Sequence, residues 1–243
     1  MFSKYVINFP HNIFEELLKS TKFEDIVGGR QGSILVDCKD GLIPIVRTTT
    51  VHDKPTRFLP IHYDIIDNIK KTSKHPQLEF NNALIEIYDS KYRNMKYHSD
   101  HSLDLLEDSY ICVFSCYDDP SPMDVRKLKI KEKATGKCSE VLLEHNSAVM
   151  FSVSTNGQYL HKIVLETNKK NKRWLGITFR LSKTFIKFVN EIPYFHPSGL
   201  LLRIANEEER KEFLKHKRLE NTNIGYKYPE IDYTISAGDT VEC

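Results

Sequence analysis

Tyr97-His98-Ser99-Asp100 sets an imidazole and a carboxylate two residues apart. On extended backbone, residues two apart point to the same side, so both groups could reach one metal ion. Alone the pattern carries little weight: with 10 His and about 15 Asp, roughly 0.6 such pairs are expected at random positions. The chain supplies its own control in His62-Tyr63-Asp64. That pair lies in a stretch with helical apolar spacing, where positions two apart face nearly opposite ways, and it is rejected as a site. His161 lies between a strand–turn, Leu143 to Phe151, and a strand ending Gly176-Ile177-Thr178-Phe179-Arg180. Two histidines and one carboxylate form the facial triad that holds non-heme Fe(II) with three coordination positions open. A 2-oxo acid can chelate two of these and O₂ can take the third.

The surrounding segments make the set specific. In order they are Asn82-Ala83-Leu84-Ile85-Glu86-Ile87-Tyr88, His98-Ser99-Asp100, Ser109-Tyr110-Ile111, and Arg126-Lys127-Leu128 with Thr135-Gly136. Leu142-Leu143-Glu144-His145, His161 and Thr178-Phe179-Arg180 follow. In order and approximate spacing, residues 81–180 resemble the catalytic core of the AlkB-like Fe(II)/2-oxoglutarate dioxygenases. The resemblance implies a double-stranded β-helix, Fe(II) held by His98, Asp100 and His161, and 2-oxoglutarate and O₂ as cosubstrates. It implies that Arg180 pairs with a 2-oxoglutarate carboxylate, a task suited to the planar guanidinium fork. Tyr88 would donate a hydrogen bond to the same molecule. Arg180-Leu181-Ser182 resembles the Arg-x-Ser anchor of such oxygenases, which adds Ser182 to the cosubstrate set. Arg47, with Thr48-Thr49-Thr50 and the later Pro55 and Pro60, resembles the substrate lid that precedes the barrel.

Three positions depart from the family pattern. Trp174 stands six residues before Arg180, where these enzymes usually carry a second arginine. Arg173 beside it could serve only if a bulge restored its parity. Glu86 stands where the demethylases commonly have a cosubstrate-binding Asn, and it joins the substrate-side candidates. His101-Ser102-Leu103 follows Asp100, so acid returns only at Asp104 rather than in the acidic stretch that reads a methylated base. The expected reaction is therefore hydroxylation of a C–H bond, with two substrate classes in view. Oxidative demethylation of modified nucleic acid is favoured by the resemblance and by the basic stretch Arg126 to Lys133. Hydroxylation of a protein or small molecule is favoured by the balanced charge and the missing acidic reader. A non-catalytic β-helix binding module is disfavoured, because all three ligand residues and Arg180 are present.

Elements that could position these residues are legible along the chain. Asn12 can cap a short helix with Phe14, Leu17 and Leu18 on one face. Strands are expected at 33–36 and 43–49 around Lys39-Asp40-Gly41, and a helix at 61–70 after Pro60. Short β-branched and aromatic runs then predict strands at 83–88, 110–117, 127–131, 141–143, 148–153 and 174–181. On the last of these, Trp174, Gly176, Thr178, Arg180 and Ser182 share one face, while Leu175, Ile177 and Phe179 share the other. Asn206 and Glu209 form a capping box for a helix at 207–217. His101 is read as a bystander, His145 as a turn residue, Cys112 and Cys116 as core, and 169–173 as an exposed loop. Strands without alternating helices predict an α+β fold with a mainly β core, a double-stranded β-helix (jelly-roll) with flanking helices. The divisions are an N-terminal helix/hairpin and lid region (1–76), the dioxygenase core (77–190), and a C-terminal extension with one helix (191–243).

Composition narrows the setting. The 243 residues carry 35 Lys+Arg against 33 Asp+Glu, a net charge of +2, which excludes a polycationic nucleic-acid binder. Hydrophobic content of 40% with 28% charged residues suits a globular chain. Five cysteines in no paired spacing fit a reducing compartment. With no long apolar run, no membrane span is expected, and the expected location is intracellular, cytoplasmic or nuclear.

Overall fold

The computed structural model describes residues 1–167 and 172–243. Residues 169–171 of the loop expected at 169–173 therefore lie outside the described residues. The chain begins with β1 (Ser3–Val6), α1 (Phe14–Ser20), β2 (Glu24–Val27), β3 (Arg30–Val36), β4 (Leu42–Pro44) and β5 (Thr56–Arg57). Next come α2 (Pro60–Ser73), β6 (Asn82–Tyr88), β7 (Tyr110–Tyr117), β8 (Arg126–Glu132), β9 (Cys138–Leu143) and β10 (Ser147–Ser152). Then follow α3 (Val153–Gln158), β11 (Tyr159–Val164), β12 (Trp174–Arg180), β13 (Phe185–Val189) and β14 (Ile192–His196). The chain closes with β15 (Arg203–Ile204), α4 (Glu207–Thr222) and β16 (Tyr233–Thr234). No helix among the described residues is long and apolar enough to cross a membrane.

Two sheets form the core. The larger runs β1-β10-β7-β12-β6-β3-β2, with β5 also on β3, and the smaller runs β11-β8-β9. Strand parity decides what lies between them. Ala83, Ile85 and Ile87 of β6 join Leu175, Ile177 and Phe179 of β12 in a cluster with Ile61, Ile65 and Ile69 of α2. The opposite faces contribute Tyr88, Trp174 and Tyr117 to a second cluster with Leu128, Ile130 and Ile163 of the small sheet. The large sheet thus packs helices outside and the small sheet inside, the double-stranded β-helix expected from the strand-rich sequence. The region expected as an N-terminal helix/hairpin and lid segment (1–76) contributes β1, β2, β3 and β5 to the large sheet.

Most expected strands appear within one to three residues of their bounds. The strand expected over 43–49 does not: β4 ends at Pro44, and the backbone NH of Arg47 donates to Asp104 Oδ2 instead of to a strand. β11, which carries His161, was not expected; its Tyr-Leu-His-Lys-Ile-Val sequence becomes a strand by pairing with β8, His161 opposite Ile130. The C-terminal segment, which shows little pattern in sequence, is packed down. Tyr233 and Ile235 bury against Phe213 of α4. Gly238 lies so close to the Asp53 carbonyl that a Cβ there would come within 1.9 Å of its oxygen.

α2 gives a pH prediction. Its N-terminus is closed by His62, whose Nδ1 accepts from the Leu59 NH at 2.8 Å. The ring is fully buried, and burial lowers its pKa to about 4. A histidine depressed in the folded state contributes stability that is complete above the unfolded pKa of about 6.5 and fades as pH falls through the folded value. Up to ~3 kcal/mol is expected to be lost from pH 6.5 to below 4, and protonation also removes the capping lone pair. Urea unfolding across that window should show the loss and a weaker pH slope in His62→Gln; equal slopes would exclude the assignment.

Candidate metal centre

Three stretches of chain meet at one end of the space between the sheets. His98 pairs with His161 of β11 as an isolated antiparallel bridge: His98 NH donates to His161 O at 3.0 Å and His161 NH to His98 O at 2.7 Å. That pairing puts both rings on one side, with centroids 4.7 Å apart. Asp100 follows two residues later. Its backbone is held at both polar groups by one side chain, since the Asp100 NH donates to Asn156 Oδ1 at 2.8 Å and Asn156 Nδ2 donates to Asp100 O at 2.9 Å.

Asp100 Oδ1 lies 3.6 Å from His161 Nε2 and 3.8 Å from His98 Nε2. One donor atom from each of the three residues lies within 4.8 Å of the others. Metal bonds of ~2.1 Å at near-octahedral angles set donors ~3 Å apart, so this triangle is of a size to close on one ion. The donor chemistry also fits. Burial by itself would raise the Asp100 pKa, but Arg180, then His161 and His98, hold the carboxyl well below its ordinary value. Lost hydration, then the adjoining His161, pushes His98 down to about 3 and leaves one ring nitrogen unprotonated. The side chains of His161 and Asp100 are 6% and 7% exposed, whereas that of His98 is 31% exposed, so the cluster opens to solvent on the His98 side.

Arg180, at the end of β12, donates from Nε to Asp100 Oδ2 at 3.2 Å. Its Nη1 is buried with no hydrogen-bond partner among the described residues, as are Ser115 Oγ and Trp174 Nε1 on the same sheet. Orphaned buried donors are costly and therefore scarce. A carboxylate would satisfy the Arg180 Nη1, so the residues fit an acidic cosubstrate as well as an ion. Trp174 fits here because residue 176 is glycine: a Cβ there would come within 1.9 Å of the indole.

The other candidates have partners of their own. Tyr88 is fully buried and donates to Glu86 Oε2 at 2.9 Å. Glu86, expected on the substrate side, is paired inward with Arg30, whose Nε and Nη2 lie 2.7 and 2.6 Å from its Oε1. Arg173 is not brought to the site: no bulge turns it inward, and it pairs with Asp118 and Glu15 over the ring of Phe14. The Ser182 hydroxyl donates to Ile45 O at 2.6 Å and accepts from Thr184 NH, both backbone groups. Arg47, expected in a substrate lid, is locked to Asp104 in the interior. His101 stacks on Phe213 of α4, and His145 Nδ1 accepts from the Tyr117 NH, consistent with bystander and turn roles. Sequence reading missed Asn156, Arg30 and the α4 residues contacting the 98–102 loop. None sits in a motif, and no local signal points to them.

A double-stranded β-helix with two histidines, a carboxylate and an arginine at one end has the form of a non-heme iron oxygenase. A family model described as the 2OG-Fe(II) oxygenase superfamily matches residues 37–180, more than half of the chain, and the protein belongs to that superfamily. It is thus an oxidoreductase that uses Fe(II), 2-oxoglutarate and O₂. No curated protein matches it. Similar solved structures include OsALKBH1, at 15% identity and TM-score 0.44 over 63% of this chain and 78% of that one. A Pseudomonas putida prolyl-4-hydroxylase matches at 14% identity and TM-score 0.42, over 74% of this chain and 92% of that one.

Proposed function

We propose that His98, Asp100 and His161 hold the Fe(II), that Arg180 holds a carboxylate of 2-oxoglutarate, and that the enzyme hydroxylates a substrate C–H bond presented on the His98 side. The observation that carries this reading is the triangle of donors beside an arginine with an unpartnered, buried Nη1. When bound, the iron and 2-oxoglutarate supply the oxidising power: O₂ and the 2-oxo acid yield succinate and CO₂ while one oxygen atom enters the C–H bond. The chain does the rest. Asp100 stays ionised, His98 offers an unprotonated nitrogen, and Arg180 orients the acid through Nη1 while its Nε steadies Asp100. Phe151, edge-on to His161 at 5.5 Å, helps keep that side dry.

Among substrates, an N-methylated nucleic acid is the reading we carry, with the hydroxylated methyl group leaving as formaldehyde. It is supported by the order and spacing of the motifs over residues 81–180, which resemble those of the AlkB-like core. Peptide or small-molecule hydroxylation is the second reading. It is favoured by Asp104 being committed to Arg47, and by Lys127 and Lys129 being paired with Glu140 and Glu166.

Anaerobic addition of Fe(II) and 2-oxoglutarate should give a weak visible charge-transfer band that His98→Ala abolishes; no band in the intact protein would sink the assignment. Arg180→Leu should raise the half-saturating 2-oxoglutarate concentration at least ~30-fold, the equivalent of ~2 kcal/mol for a charge-assisted contact. Formaldehyde release from methylated oligonucleotides, set against +16 Da products on peptides, divides the substrate classes. Absence of salt-sensitive affinity for any nucleic acid would eliminate the first.

A further inference from the structure

We propose that the last two turns of α4 form a brace that sets the geometry of the 98–102 loop, with Lys217, Glu220 and Asn221 as positioning residues for the reaction. The proposal rests on the assignment of His98 and Asp100 to the metal. Beyond the His98–His161 bridge, no strand among the described residues pairs with this loop, and side chains take up its backbone polar groups instead. Ser99 NH donates to Asn221 Oδ1 at 3.0 Å, and Lys217 Nζ donates to Ser99 O. Ser102 NH and its hydroxyl both donate to Glu220 Oε1, the former at 2.9 Å. With Asn156 holding residue 100 itself, Asp100 is fixed between two points anchored on α4.

The character of α4 supports a positioning role. A helix retained for packing buries an apolar stripe. The residues α4 buries are Phe213, Lys217 and Glu220: one aromatic ring and an ion pair 2.7 Å long. A buried ion pair is a weak source of stability, because desolvation offsets its attraction. This one is completed by Tyr228 OH on Glu220 Oε2 at 2.9 Å, and Lys133 Nζ ties Glu220 O to Gly157 O beside Asn156. Every polar contact of Lys217 and Glu220 thus runs to the loop, to each other, or to groups that hold them. Partners that orient ligands in this way commonly change metal affinity 10–100-fold when removed.

Co(II) titration of the full-length protein under argon, followed by its visible ligand-field absorption, tests the brace. Lys217→Met and Asn221→Ala should each weaken Co(II) binding about tenfold or more and change the band shape, whereas Asn221→Asp, which keeps the acceptor, should restore both. A merely structural role would lower the melting temperature of the metal-free protein but leave the Co(II) spectrum of the folded fraction unchanged. Coupling is reciprocal. In the intact protein, Co(II) should therefore slow amide hydrogen exchange over residues 217–222, a readout that needs no variant. Unchanged affinity and spectrum in both variants, or no added protection on α4, overturns the brace provided His98→Ala has lost Co(II). If His98→Ala binds Co(II) as the intact protein does, the metal assignment itself fails, and the brace with it.

Discussion

Asp100→Asn is expected to reduce succinate formation and substrate hydroxylation by at least ~10³-fold, about 4 kcal/mol in the barrier. The substitution is nearly isosteric, so the Asn156 contacts to the residue 100 backbone are retained, and the change is confined to charge. That charge is the anionic member of the donor triangle, and it also faces Arg180 Nε at 3.2 Å. An amide oxygen is a poor substitute for a carboxylate toward a hard divalent ion. It would also leave the buried Arg180 without its anionic partner. Metal titration and turnover should therefore fall together, while the far-UV spectrum stays native. Full activity with Asn at this position would remove Asp100 from the metal set. Normal metal affinity with lost turnover would move its role to orienting Arg180.

Arg47→Met carries the largest expected effect on stability, a loss of ~3–5 kcal/mol in urea unfolding. The side chains of Arg47 and Asp104 are 4% and 0% exposed, and they meet through Nη2–Oδ1 at 2.7 Å and Nε–Oδ2 at 3.1 Å. Arg47 Nη1 also donates to Ile231 O and Tyr233 O at 2.7 and 3.0 Å, tying the C-terminal segment to the core. Methionine fills much of the volume but leaves a buried carboxylate uncompensated and two carbonyls unpaired. Arg47→Met/Asp104→Leu removes the stranded charge and should recover at least half of the loss. A single-variant loss below ~1 kcal/mol would show that water replaces the guanidinium, contrary to the burial.

The alternation of β6 and β12 was readable because a strand's two faces differ in polarity whatever it pairs with. Leu175, Ile177 and Phe179 had to turn away from Arg180, and they do. The capping box at Asn206 and Glu209 was equally local; both of its hydrogen bonds are present, at 2.9 Å each. β11 was harder. Its sequence has no strong period, and β8 supplies the ladder that makes it a strand. Arg47, Glu86 and Arg173 illustrate the limit for single residues. Each is a charged group whose partner lies 55 or more positions away: Asp104, Arg30 and Asp118. Without that partner, an inward ion pair reads the same as a substrate contact.

By itself, the sequence determined the chemistry. Strand parity paired His98 with Asp100, a local property of extended backbone, and the resemblance of residues 81–180 to the AlkB-like core added His161 and Arg180 to the set. The tertiary structure decided which way the other charged groups face and what holds the donors in place. Asn156, Lys217, Glu220 and Asn221 contact the 98–102 loop from 56 to 122 positions away. Hydrogen bonds across such separations depend on how the sheets and α4 pack together, and no local pattern encodes that packing.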